Sequence, residues 1–101
     1  MSHALFVQHK TRPGKRRAVE AVWRKHMKPA VAANAGHLAY FYCFGMDDDA
    51  ICAFQHYASR EAAQAFLETP AYAAYLEEVT PLLSGDPTVT VLDVRWSKAA
   101  D

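Results

Sequence analysis

The sequence is poor in cysteine. Cys43 and Cys52 are the only two, and they fit neither a CxxC pair nor a Cys/His zinc spacing, so no metal site is indicated. A reducing compartment suits them. No apolar run approaches the ~20 residues of a membrane span. The opening segment MSHALFVQHK has too short an apolar run for a secretory signal and lacks its small-residue cleavage pattern. The expectation is a cytoplasmic protein with no membrane partner. Low-complexity stretches, Ser/Gly-rich tracts and internal repeats are also missing, which argues against extended disorder. Net charge is missing too. Eleven Lys and Arg balance eleven Asp and Glu, leaving none of the basic excess usual in a nucleic-acid binder.

What is present fits one compact unit. A chain of 101 residues supports a single core but not two, so residues 1–97 are read as one domain and residues 98–101 as a flexible C-terminal tail. Charge is unevenly placed. Lys10, Arg12, Lys15, Arg16, Arg17, Arg24, Lys25 and Lys28 have only Glu20 among them, and most acids come later. Such a basic third can serve an anionic partner; the simpler reading is the solvated outer face of one helix.

ALFVQHK (4–10) is rich in strand formers and ends at the turn residues Pro13 and Gly14; Pro13 could also open a helix. From Lys15 to about Asn34, Val19, Val22, Trp23, His26, Met27, Ala30 and Val31 recur every three or four positions, which predicts a long amphipathic helix. Pro29 within it predicts a kink or break near Lys28. Gly36 is read as the terminator. HLAYFYCFGM and AICAFQHYA then form a hairpin about the acidic turn DDD. Ser59 is placed to cap a helix REAAQAFLE, and Thr69-Pro70 restart it as AYAAYLEEVTPLL, where Tyr72, Tyr75, Leu76 and Val79 share a face. TVTVLDVRW is a last strand.

Closing the hairpin at Asp47-Asp48 sets Tyr40 opposite Gln55, Tyr42 opposite Ala53, and Leu38 opposite Tyr57. One face then carries Tyr40, Tyr42, Tyr57 and Gln55. The other carries His37, Phe41, Cys43, Cys52, Phe54 and His56, with the two thiols facing each other. Both faces are apolar enough to need covering. Helices cover one, and a second copy of the chain is the economical cover for the other.

The order strand, helix, strand, strand, broken helix, strand is the ferredoxin-like βαββαβ arrangement of the α+β class, an antiparallel sheet with helices on one face. Within it, PGK after the first strand, NAGHLAYFYCF, and FQHYASREAAQAFLETPAYAAYLEEVTPLL resemble the antibiotic biosynthesis monooxygenase family of small dimeric α+β barrels. The resemblance implies a homodimer whose two sheets close into a barrel with the helices outside. It also implies a pocket between sheet and helices. Members include quinol and anthrone monooxygenases that need no metal or flavin, and haem-degrading enzymes. Anthrone-oxidising members offer an Asn and, four residues on, a Trp from the third strand; here those places hold Ala53 and Tyr57. The iron-ligating helix His of haem degraders is replaced near Phe66 and Tyr75-Leu76, so haem is not implied.

The function this suggests is cofactor-independent monooxygenation of a small quinol-like or polyketide-like aromatic by molecular oxygen, with no cofactor. Such chemistry needs an apolar pocket and a base matched to neutral pH. His9 and His26 are the candidate bases, with His56 a candidate only if it faces the pocket. Tyr57 is a catalytic candidate of another kind, a direct substrate contact, through its place in the family pattern. Tyr40, Tyr42, Gln55, Trp23, Phe66, Tyr72 and Tyr75 are candidate substrate contacts. Trp23, Phe66 and Tyr75 have a plainer role as core residues at helical spacing; His26 could be an interface histidine, and His9 merely exposed. An alternative keeps the dimeric barrel as a non-catalytic binder of a small apolar ligand. A remote one is an RNA-recognition-like module, for which AICAFQHY lacks the glycines and puts Cys52 where a stacking aromatic belongs.

Overall fold

The computed structural model describes residues 2–98. Strand β1 (Ser2–Lys10) is followed by α1 (Arg16–Ala33), β2 (His37–Phe44), β3 (Ala50–Tyr57), α2 (Arg60–Leu67), α3 (Pro70–Val79), a 3-10 turn (Thr80–Leu82) and β4 (Thr88–Val94). The strands form one antiparallel sheet in the order β2-β3-β1-β4, and the helices cover one of its faces. This is the ferredoxin-like α+β fold expected from the element order. No described helix is long and apolar enough to cross a membrane. Of the tail expected over 98–101, residues 99–101 lie outside the described residues.

Local chemistry accounts for the helix boundaries. Gly14, at φ +77°, makes the turn before α1, a backbone angle that costs glycine little. Ser59 accepts a hydrogen bond from the Ala62 amide and Thr69 from the Tyr72 amide, so both short helices begin on a side-chain cap. Pro70 occupies the first turn of α3, where a missing amide proton removes no helical bond. Along α1, Val19, Trp23 and Met27 recur every four residues and are buried. With Phe66, Tyr75 and Val79 they pack on Ile51 and Tyr57 to form the core. Each large apolar side chain so buried contributes roughly 1.5–3 kcal/mol.

Two expectations are corrected here. Pro29 does not break α1, which is one helix from Arg16 to Ala33; the packed stripe on either side of Pro29 outweighs the lost bond. Gly36 is no left-handed terminator, since positive φ is confined to Gly14 and Gly85 among the described residues. Its value is closeness: a β-carbon there would lie 3.1 Å from that of Ala62 in α2.

The hairpin register matches the expected pairs Tyr40 with Gln55, Tyr42 with Ala53, and Cys43 with Cys52. Both thiols are free. Arg16 staples the hairpin end, donating to the carbonyls of Gly45, Asp47 and Ala50 and lying 4.1 Å over the Phe44 ring. The other end departs from expectation. A bulge at Leu38 pairs His37, not Leu38, with Tyr57, because one extra residue reverses the alternation. His37 therefore sits on the helix side, its ring centre 4.3 Å from Tyr57 and edge-on to Phe66 at 4.6 Å. Leu38 is left exposed.

The opposite face carries Phe6, Phe41, Phe54, both cysteines, His56 and Leu92, as alternation along the paired strands requires. Phe41 is 59% exposed and Leu92 39%. His56 is buried there, 2.6 Å from the Ser2 hydroxyl.

Candidate functional site

Between sheet and helices lies a cavity of about 260 Å³. Its floor comes from alternate residues of β1 (Leu5, Val7, His9) with Tyr40 of β2 and Gln55 of β3; Phe66, Tyr72 and Leu76 are in its roof. Its far end is closed by the segment after α3. The Ser84 amide donates to the Lys10 carbonyl and the Arg12 amide to the Leu82 carbonyl, which ties that segment to the end of β1. Gly85, at φ +125°, then turns the chain so that Asp86 and Pro87 border the cavity.

The lining is mainly apolar, and its polar groups are few. His9 borders the cavity from β1. Its Nδ1 is sealed and has no partner, which leaves Nε2 as the nitrogen able to exchange a proton. Burial pushes its pKa below the ordinary 6.5, so the ring rests neutral at neutral pH and keeps a lone pair for a proton. Tyr40 accepts a hydrogen bond from the Trp23 indole at 3.2 Å. Burial pushes its phenol up to about 12, against a smaller opposing effect of that bond. Burial also raises the phenols of Tyr42, Tyr57, Tyr72 and Tyr75. All five tyrosines are hydroxyl donors at neutral pH, not bases.

The structure therefore separates the candidates by their distance from the cavity. His9, Tyr40, Gln55, Phe66 and Tyr72 border the cavity together. Tyr57 and Trp23 stand one bond behind it: Tyr57 is 0% exposed and donates to Gln55 Oε1 at 2.6 Å, while Trp23 reaches Tyr40. Tyr75 is buried beside Tyr72, with ring centres 6.3 Å apart. Tyr42 stacks on Trp23 at 4.3 Å, its hydroxyl sealed and unpartnered. His26 stands apart, on the outer surface, where its Nε2 lies 2.8 Å from Glu78 Oε1 and Lys25 joins the same oxygen. The hydrogen bond from His26, then that from Lys25, lowers the Glu78 pKa. His26 thus bridges α1 to α3 instead of serving the cavity.

Sequence reasoning missed Leu5 and Val7, which alternation from His9 along the first strand could have found. Nothing local signals Thr80, Leu83 and Asp86, which reach the cavity only through the closure of their segment on β1. Among the described residues, no three His, Cys, Asp or Glu side chains cluster as metal ligands.

The fold places the chain in a known structural class. Rv0793 from Mycobacterium tuberculosis is similar at TM-score 0.86 and 26% identity, covering 97% of this chain and 99% of that one. A Caulobacter crescentus CB15 protein provisionally named an antibiotic biosynthesis monooxygenase is similar at TM-score 0.86 and 21% identity, over 92% and 89% of the two chains. A Nitrosomonas europaea protein with the same provisional name reaches TM-score 0.88 at 14% identity, over 94% and 91%. These last two likenesses concern the fold alone. No curated protein matches the sequence. The family model described as antibiotic biosynthesis monooxygenase matches residues 3–78, and the chain belongs to that family.

Proposed function

We propose that the protein is a cofactor-independent monooxygenase that oxidises a quinol-like or polyketide-like aromatic with molecular oxygen, working as a homodimer. The observation that carries this reading is the apolar cavity with one neutral, partly sealed imidazole, His9, on its wall. His9 takes the acidic proton of the bound aromatic. The resulting anion passes one electron to oxygen, the radical pair joins as a peroxide at carbon, and loss of water leaves a carbonyl. For a ring methylene the net change is CH₂ + O₂ to C=O + H₂O, so the carbon supplies every electron and no external reductant is used. Tyr40, Gln55, Phe66 and Tyr72 hold the ring. Tyr57 and Trp23 act from behind Gln55 and Tyr40. The exposed apolar face around Phe41 and Leu92 supports the dimer, since a second copy would bury it.

Oxygen consumption with a reduced naphthoquinone or an anthrone, in chelator-treated protein, tests the reading. Uptake is expected, and His9→Ala should lower it at least ~100-fold. Ligand-raised melting temperature with no uptake above the protein-free rate would instead establish a non-catalytic binding barrel.

A further inference from the structure

We propose that Tyr40 and Gln55 form a two-donor clamp for one anionic or carbonyl oxygen of the ligand, with Trp23 and Tyr57 as positioning residues that fix the direction of its hydrogen bonds. This rests on the reading of the helix-side cavity as the ligand site.

Tyr40 and Gln55 are direct cross-strand partners on one face, and both border the cavity. Each side chain could in principle either donate or accept. Their buried neighbours remove that freedom. Tyr57 has no exposure to solvent, and its hydroxyl is bonded to Gln55. The 2.6 Å separation is short for N–H···O and ordinary for O–H···O, so the group receiving the Tyr57 proton is the amide oxygen. That orients the amide. Its Nε2, with two hydrogens and no partner among the described residues, is left for the cavity.

Trp23 acts in the same sense on Tyr40. An indole nitrogen can only donate, so the Tyr40 oxygen is the acceptor of the 3.2 Å bond and its own proton is free to turn to the ligand. Because burial keeps the phenol protonated well above neutral pH, that proton is retained. Two side chains that could have been ambivalent thus present donors alone. Along β1, the clamp row at Leu5 and the His9 row are four residues apart, roughly 13 Å at strand rise. Donors therefore stand near one end of the cavity and the proton acceptor at the other. The ligand class this fits has a phenolate, enolate or carbonyl oxygen at the clamp, and the site discriminates against a hydroxyl that must donate there.

The probe is 4-nitrophenol, which ionises near neutral pH and whose phenol and phenolate forms absorb at different wavelengths. Titration of the bound probe should show the phenolate held about 10-fold or more tighter than the phenol, read as a fall of about one unit in its apparent pKa. Tyr57→Phe removes one oxygen from a buried ring and frees the amide to turn, so the preference should drop to about twofold or less. Tyr40→Phe and Gln55→Leu should each remove most of it, without relying on the first variant. A merely structural role for Tyr57 would change affinity for both forms equally. Equal binding of the two forms by the unaltered protein, unchanged preference in Tyr57→Phe, or no binding of either form would overturn the clamp. Phenolate preference together with no oxygen uptake would uphold the clamp and reject the oxygenase reading.

Discussion

Burial lowers the pKa of His9 and His37 below the ordinary 6.5, and this desolvation links acid stability to the site. In the unfolded chain both rings bind protons below 6.5 more readily than they do in the fold. Stability from these groups is therefore complete above 6.5 and is lost as the pH falls through their lower folded-state values. The urea midpoint should be level around neutral pH and decline on the acid side, with a shallower decline in His9→Asn. A wild-type midpoint that rises on acidification would contradict this. Oxygen uptake should follow the same direction, its acid limb centred below 6.5, because only the neutral ring can accept a proton. At this scale the sequence was informative about residue type. It marked His9, Tyr40 and Gln55 through strand position, but it ranked Tyr57 as a direct contact. A burial of that kind is invisible in a pattern that only assigns faces: Gln55 and Tyr57 share a face, and three-dimensional packing decides which one reaches the cavity.

Among the elements, α1 shows packing overriding local preference. Its exposed Pro29 lacks an amide proton and crowds the Lys25 carbonyl, yet the helix continues because Val19, Trp23 and Met27 hold its inner face on the sheet. Pro29→Ala should restore the missing bond and raise unfolding stability by up to about 3 kcal/mol, measured by urea denaturation, with the cavity unaltered. A loss of stability on that change would mean that the proline sets a bend on which the packing depends. Helix identity and the Ser59 cap were legible from the sequence, and Thr69 only as the point where the helix restarts. The bulge at Leu38 was not. A register drawn outward from the turn assumes unbroken alternation, and the compensation that favours the bulge is largely tertiary: beside the local bond from the Asn34 amide to its Nδ1 at 2.9 Å, His37 gains the rings of Tyr57 and Phe66.

For the whole molecule, the uncovered sheet face is the dominant feature. Phe41 stands 59% exposed among Phe54, Cys43 and Cys52, an arrangement costly to leave in water. The chain of 11.3 kDa is expected to run as a dimer in light scattering. Phe41→Asp, which forces an unpaired charge into the proposed contact, should yield the monomer mass. Melting of the wild type should also depend on protein concentration, and that of the variant should not. A concentration-independent monomer for the wild type would remove the barrel from the proposed function.

By itself, the sequence determined which residues form strands and helices, which of them share a face, and the family to which the chain belongs. The elements and their faces follow from periodicity, capping and turn chemistry, which act over a few neighbouring positions, and the family from the likeness of its motifs to those of known members. Only the tertiary structure decided that His26 leaves the site for Glu78, that His37 crosses the sheet, and that the segment from Thr80 to Pro87 closes the cavity on His9. It also decided that Trp23 and Tyr57 speak to the cavity through Tyr40 and Gln55. Apart from the Tyr57–Gln55 bond, which joins residues two positions apart and is set by how both pack, these features depend on contacts between residues far apart in the chain, whose geometry no local pattern encodes.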